Sequence, residues 1–305
     1  LSNAIIFKSD AAFDYVSEKL YQLTLADVET YFSEKNLSID KLTIVPEGPF
    51  NYFPFESLRR NGQYLIEDYA IDYSYSMTLS LILDDRESLV NGQLLAFAPV
   101  FSDQSTNRLT AGALDVFEAS RSISTDEVRG FSVNGEFITP LPGTMEEVES
   151  LDILANSKGS KAETLVFDEA KEEVIKSGKL KDYQFIHFAT HGFVNEAKPA
   201  YSGIFLSQNS SSDEDCVLFA SEIYNLELNA DLITLSACET GLGRFADGEG
   251  IVGLTRAFFY AGANNLMVSQ WQVNDASTAK LMVDVYDGLF SGQSKSDALR
   301  NAKLK

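Results

Sequence analysis

Cysteine and histidine are the scarcest reactive side chains in this chain: two of each, Cys216, Cys238, His187 and His191. One cysteine lies in a polar Ser/Asp/Glu stretch and the other at the end of an apolar run. That pair excludes a disulfide framework and fits a reducing, cytoplasmic compartment, where a thiol stays available for chemistry. No Cys/His cluster has metal-ligand spacing, so no metal is expected. The absence of any G-x-x-x-x-G-K-[ST] excludes a P-loop. Basic residues are few as well: 24 Lys and Arg face 45 Asp and Glu, for a net charge of −21. Nucleic-acid binding rests on Lys/Arg contacts to phosphate, so a nucleic-acid partner is not expected. The surplus of acid suits solubility, or the steering of a basic partner. No apolar run approaches transmembrane length and no basic-then-apolar leader opens the chain, so no membrane partner is expected either. Ser2-Asn3-Ala4 reads as a scar left by an expression tag and is set aside.

What is present is an ordinary globular composition, 45% hydrophobic and 23% charged over 305 residues, enough for one large or two modest α/β units. Periodicity predicts a helix over 10–34, with Phe13, Val16, Leu20, Leu23 and Val28 on one face. A strand is expected over 42–45, another over 64–75, and a helix over 77–89. Leu94 to Val100 is a continuous apolar run, the pattern of a strand buried on both faces. Residues 101–142 read as a long polar loop. A helix follows to about Asn156, with Thr144 as its N-cap and Glu147 as the capping-box partner. Further strands are expected over 164–167, 185–190, 202–206, 232–237 and 265–273. Helices are expected over 169–176, 220–226, 248–260 and 276–290, the third of these stopped by Gly262. Residues 208–216 read as a solvated tip. Strands alternating with helices of this length predict a parallel sheet covered on both faces.

Two segments carry the chemistry: Phe185-Ile-His-Phe-Ala-Thr-His191-Gly192 and Leu232-Ile-Thr-Leu-Ser-Ala-Cys238-Glu-Thr-Gly241. Each is an apolar run ending in a reactive side chain with glycine close behind. Ligands and catalytic groups gather at the carboxyl ends of strands in an open parallel sheet. If the two strands are neighbours, His191 and Cys238 meet there as base and thiol nucleophile, the arrangement of a cysteine peptidase. The backbone N–H groups of Gly192 and Cys238 are the candidate oxyanion donors. No residue is spaced as a third catalytic member, so a dyad is expected. His187, inside its strand, reads as a satisfied core histidine.

Gly241-Leu-Gly243-Arg-Phe-Ala246 matches a loose dinucleotide pattern. The following helix begins too late to receive a phosphate, and no acid near position 261 would hold a ribose, so no cofactor is expected. Glu239 and Asp275 are the acids expected beside the substrate. Asp275 would wall a Lys or Arg side chain, or else cap the next helix.

Taken in order, Ile44-Val-Pro-Glu-Gly48, Phe53-Pro-Phe-Glu-Ser-Leu58, Tyr64-Leu-Ile-Glu-Asp-Tyr-Ala70, His187-Phe-Ala-Thr-His191-Gly192, Ser236-Ala-Cys-Glu-Thr-Gly241, Gly248-Glu-Gly250 and Trp271-x-Val-x-Asp275 resemble the CHAT domain. This is a branch of the caspase-like, separase-related clan CD cysteine peptidases. The resemblance runs from about Leu42 to Lys305. It implies a caspase-like three-layer α/β sandwich with a mainly parallel sheet covered by helices, plus a smaller N-terminal α/β layer. It also implies His191 as base, Cys238 as nucleophile, and no cofactor. The expected divisions are a helical lead-in over 1–41, an N-terminal subdomain over 42–92 and a catalytic subdomain over 93–305, its last element trimmed at the C-terminal end. Upstream TPR helices often accompany such domains, and a protein or peptide is the expected substrate. A latent or non-catalytic interaction module of the same fold is the alternative, and an acyl hydrolase or transferase using the same dyad a third. Arg108, Arg121 and Arg129 in the long loop are candidate self-cleavage sites.

Overall fold

The computed structural model describes residues 10–99, 141–193, 195, 198–207, 214–236, 249–269 and 275–305. Its centre is a five-stranded sheet made of β5 (Leu94–Ala98), β6 (Ala162–Val166), β7 (Phe185–Phe188), β11 (Leu232–Leu235) and β12 (Leu266–Val268). The strand order is β12-β11-β7-β5-β6, and every neighbouring pair is parallel. All five residues of β5 are 0% exposed, which is why its sequence shows no polar alternation. Side chains still alternate between two faces. Leu95, Phe97, Ile186, Phe188, Ile233 and Leu235 meet Ile175, Ile223, Leu254 and Phe258 on one side. Leu94, Phe185 and Leu232 meet Leu151, Val285, Tyr286, Leu289 and Ala298 on the other.

The first face is covered by α5 (Glu172–Lys176), α6 (Ala220–Ile223) and α7 (Glu249–Ala261), the second by α4 (Pro142–Ser157), α8 (Asp275–Phe290) and α9 (Lys295–Leu304). This is the three-layer, caspase-like sandwich that the sequence implies. A small antiparallel sheet, β8 (Gly192–Phe193), β9 (Gly203–Phe205) and β10 (Val217–Phe219), continues from the end of β7.

Preceding the sheet in sequence is a smaller layer: α1 (Asp10–Thr24), α2 (Ala26–Glu34), β1 (Lys41–Ile44) paired in parallel with β4 (Ala70–Tyr73), the hairpin β2 (Arg59–Arg60) and β3 (Gln63–Tyr64), and α3 (Met77–Asp84). The hairpin turns on Asn61-Gly62, both at positive φ (54° and 83°), as a tight two-residue turn requires. Tyr21, Phe55, Leu58, Leu65 and Tyr69 form the core of this layer. It is tied to the C-terminal helix by Arg300, whose Nε donates to the Ile66 carbonyl at 2.7 Å, and by the Lys303–Glu56 pair at 2.8 Å.

Several expectations are corrected. The helix over 10–34 is two helices, because the chain leaves regular geometry at Leu25. The span 64–75 is not one strand: a 3₁₀ turn over Leu65–Glu67 separates β3 from β4, so Leu65 is buried through a turn. The helix from Met77 stops at Asp84. Most telling is α4. It begins at Pro142, in the first turn, and the Thr144 hydroxyl donates to the Leu141 carbonyl at 2.7 Å. Glu147 is therefore free of the expected capping box and is buried against the sheet instead, at 3% exposure. Of the loops expected over 101–142 and 208–216, residues 101–140 and 208–213, with Arg108, Arg121 and Arg129, lie outside the described residues.

Candidate active site

Strand β7 delivers one half of the candidate site. Beyond Phe188, the Ala189 N–H donates to the Phe97 carbonyl at 2.9 Å, which keeps the chain in line with β5. Thr190 then turns its hydroxyl onto the Phe205 carbonyl at 2.5 Å, and the Phe205 N–H donates to the His191 carbonyl at 2.9 Å. His191 thus sits at the seam between the central sheet and the small antiparallel one, 3% exposed. Gly192 opens β8 opposite Ile204. Because Phe205 bonds to His191 in this register, Gly192 and Ile204 are the non-bonded pair of the ladder. The Gly192 N–H therefore points away from β9.

Strand β11 is the one expected from the sequence to lead to the other half. It lies directly beside β7, parallel, with Leu232 opposite Phe185, Thr234 opposite His187 and Leu235 opposite Phe188. The alignment continues past the strand: the Ser236 N–H donates to the Phe188 carbonyl at 2.9 Å. Cys238 and Glu239 follow within three residues of Ser236 and lie outside the described residues, as does Trp271. Asp275 is the first residue of α8.

His187 is fully buried, at 0% exposure. Its Nε2 lies 3.0 Å from Glu147 Oε1 and its Nδ1 3.3 Å from the Tyr286 hydroxyl. Tyr286 in turn meets the Thr234 hydroxyl at 3.1 Å. It is the satisfied core histidine that its mid-strand position predicts. Glu147 and Tyr286 are the residues that sequence reasoning missed. The capping-box pattern claimed Glu147, and nothing in helical periodicity marks Tyr286 as more than core. Burial pushes the Tyr286 hydroxyl well above the ordinary tyrosine range.

Two other polar clusters are found among the described residues. The Glu172, Glu214 and Glu222 carboxylates lie within 4.8 Å of one another. Lys176 Nζ stands among them, 2.6 Å from each, so an ammonium already balances part of the charge a metal would answer. Burial pushes the Glu172 carboxyl up to about 7 against the attraction of Lys176. A recess of about 330 Å³ in the N-terminal layer is lined by Tyr21, Glu29, Arg60 and Tyr69. Its polar groups bind one another: Glu29 accepts from both tyrosines and Arg60, and Arg60 also pairs with Asp68.

Among the described residues no helix is long and apolar enough to cross a membrane. Comparison with known proteins agrees with the architecture. Tetratricopeptide repeat protein 28 of Mus musculus is 28% identical over 194 residues, and its Homo sapiens counterpart is 26% identical over 194 residues. In each case the alignment covers 53% of this chain and 8% of the relative, so the chain corresponds to a small part of those proteins. The CHAT domain family profile matches residues 15–305. Spanning nearly the whole sandwich and the layer before it, that match places the chain in the CHAT domain family, related to the caspase-like clan CD cysteine peptidases.

Proposed function

We propose that the protein is a cysteine endopeptidase working through a His191–Cys238 dyad. One observation carries this reading. β7 and β11 are adjacent and parallel with His187 opposite Thr234. His191 follows His187 by four residues, and Cys238 follows Thr234 by four. Equal spacing from an aligned pair supports base and thiol meeting at the same sheet edge, where open parallel sheets collect their chemistry.

In the proposed reaction His191 takes the Cys238 thiol proton, and the thiolate sulfur attacks the peptide carbonyl carbon. The N–H groups of Gly192 and Cys238 hold the developing oxyanion, and the outward aim of the Gly192 N–H supports that role. His191 then gives its proton to the leaving amine as the C–N bond breaks. Water, deprotonated by His191, next attacks the thioester. The C–S bond breaks and the proton returns to the thiol. Asp275 and Glu239 would line the subsite for a basic residue before the cut, favoured by the −21 net charge.

Burial of His191, at 3% exposure, favours a second reading: the same site held latent until a partner opens it. The tetratricopeptide repeats for which the relatives are named make a helical-repeat array the partner we favour.

The test is to incubate wild type and Cys238→Ala with an irreversible arginyl-ketone probe and a mixed peptide library, read by mass spectrometry. The expected result is an adduct on Cys238 and cuts after Arg and Lys, both lost in the variant. Cuts after Asp or apolar residues would overturn the basic preference. Wild type inert alone but active with a tetratricopeptide-repeat partner would establish latency. Inertness in both conditions would count against a peptidase.

A further inference from the structure

We propose that Glu147, His187, Tyr286 and Thr234 form a buried relay that holds the two dyad strands at one level, with His187 as its positioning residue. The inference rests on the reading that His191 and Cys238 form the dyad.

The relay crosses four elements that share no local sequence. His187 is on β7, Thr234 on β11 and Tyr286 on α8, while Glu147 reaches in from α4. A carboxylate oxygen only accepts, so His187 Nε2–H donates to Glu147 across 3.0 Å. In that tautomer Nδ1 is an acceptor, filled by the Tyr286 O–H at 3.3 Å. The Tyr286 oxygen then accepts from the Thr234 O–H at 3.1 Å. All three links run in one direction, with no donor facing a donor. The relay is also dry: His187 and Tyr286 are 0% exposed, Thr234 1% and Glu147 3%. The Tyr286 ring is wedged edge-on against Phe185, with ring centroids 6.0 Å apart, so its hydroxyl has little freedom to move.

Such a network is satisfied in one arrangement only. Slipping β7 by one residue against β11 would turn His187 to the opposite face, among Phe97, Phe188 and Phe258, and strand Glu147 and Tyr286 in apolar surroundings. An all-aliphatic pair at these positions would stabilise the sheet without specifying its register to this degree. The network thus fixes His187 opposite Thr234, four residues short of the base and four short of the thiol. It also fixes the heights of α4 and α8, the latter beginning at Asp275.

The test reads the thiol itself. Alkylation of Cys238 by iodoacetamide is followed against pH by peptide mapping, which keeps Cys216 separate, in wild type, His191→Ala, Tyr286→Phe, His187→Ala and His187→Gln. Thermal unfolding of each variant is measured alongside. A dyad keeps the wild-type thiolate populated below the ordinary cysteine range, and His191→Ala moves the profile up. The relay predicts that Tyr286→Phe, which keeps the ring, moves it part of the way. Alkylation near pH 6.5 would slow by about three- to tenfold, a fraction to one unit of thiol pKa. His187→Gln, able to donate at one end and accept at the other, recovers part of what His187→Ala loses.

Folded Tyr286→Phe and His187→Ala with wild-type profiles would overturn the relay and leave the dyad standing. If His187→Ala does not fold, Tyr286→Phe decides alone. Coincident profiles for wild type and His191→Ala would overturn the dyad, and the relay's role with it.

Discussion

Two glutamates show how differently one side chain behaves when buried. Glu147 meets an imidazole made to receive it, whereas Glu172, 1% exposed at its side chain, has an ammonium on one side and the acids Glu222 and Asp215 nearby. Burial is the largest influence on Glu172 and raises its carboxyl from 4.5 to about 7. Because the folded value is raised, the protonated form favours folding. That contribution is fully present below about pH 4.5 and is lost as pH rises through about 7. The loss amounts to roughly 3 kcal/mol at about 1.4 kcal/mol per unit. Glu172→Gln is therefore expected to flatten the dependence of stability on pH between 5 and 8 and to be more stable than wild type at pH 8. Urea unfolding midpoints at the two pH values check this, and a Gln variant that follows the wild-type curve would reassign the effect. At the reacting residues, Cys238→Ala and His191→Ala are expected to lower peptide cleavage by at least about a thousandfold, since the two act as a unit. Initial rates on the best library substrate measure it.

At the scale of elements, α7 illustrates how a single turn residue can hold a helix to its neighbours. Gly262 ends it at φ +120°, where a side chain would meet the Leu228 carbonyl oxygen at 2.0 Å. Its neighbours lock the turn: the Ala263 N–H returns to the Phe258 carbonyl at 3.0 Å and the Leu228 N–H donates to the Ala261 carbonyl at 2.8 Å. Gly262→Ala must shift the Leu228 backbone and accept an unfavourable φ, so a loss of about 2 to 4 kcal/mol is expected. A thermal midpoint unchanged from wild type would show that the loop gives way freely. The glycine stop was legible in the sequence. Its close approach to Leu228 was not, because position 228 lies 34 residues away and no local pattern marks it.

The whole molecule is stitched together by a few long-range contacts between the N-terminal layer and the sandwich. Arg300 binds the Ile66 and Glu67 carbonyls, and Tyr75 packs edge-on against Phe259, with ring centroids 5.9 Å apart. Arg300→Ala removes donors from two carbonyls in the 3₁₀ turn. It is expected to speed amide hydrogen exchange across 59–73 at least severalfold while leaving β5 and β7 protected. Uniform protection in the variant would show that the layer holds its place through apolar packing alone. The charge of −21 acts at the same scale: cleavage of a cationic peptide is expected to fall as salt rises, and that of a neutral peptide to stay level. Equal salt dependence for both would remove steering from the account.

Sequence by itself determined the class of the fold, since alternation of apolar strands with amphipathic helices leaves few arrangements other than a covered parallel sheet. It also picked out the strands ending near His191 and Cys238, because burial on both faces makes such strands continuous apolar runs and their ends stand out. Tertiary structure alone decided that these two strands are neighbours and in which register, for pairing joins segments about 45 residues apart and leaves no local trace. It decided the fate of Glu147 too. A Thr-x-x-Glu pattern is satisfied equally well by a helix cap or by chance, and here a buried imidazole from strand β7 supplied the stronger partner. Local propensity reaches only as far as one helical turn. The hydrogen bonds that set the level of the candidate site join residues the fold alone brings together.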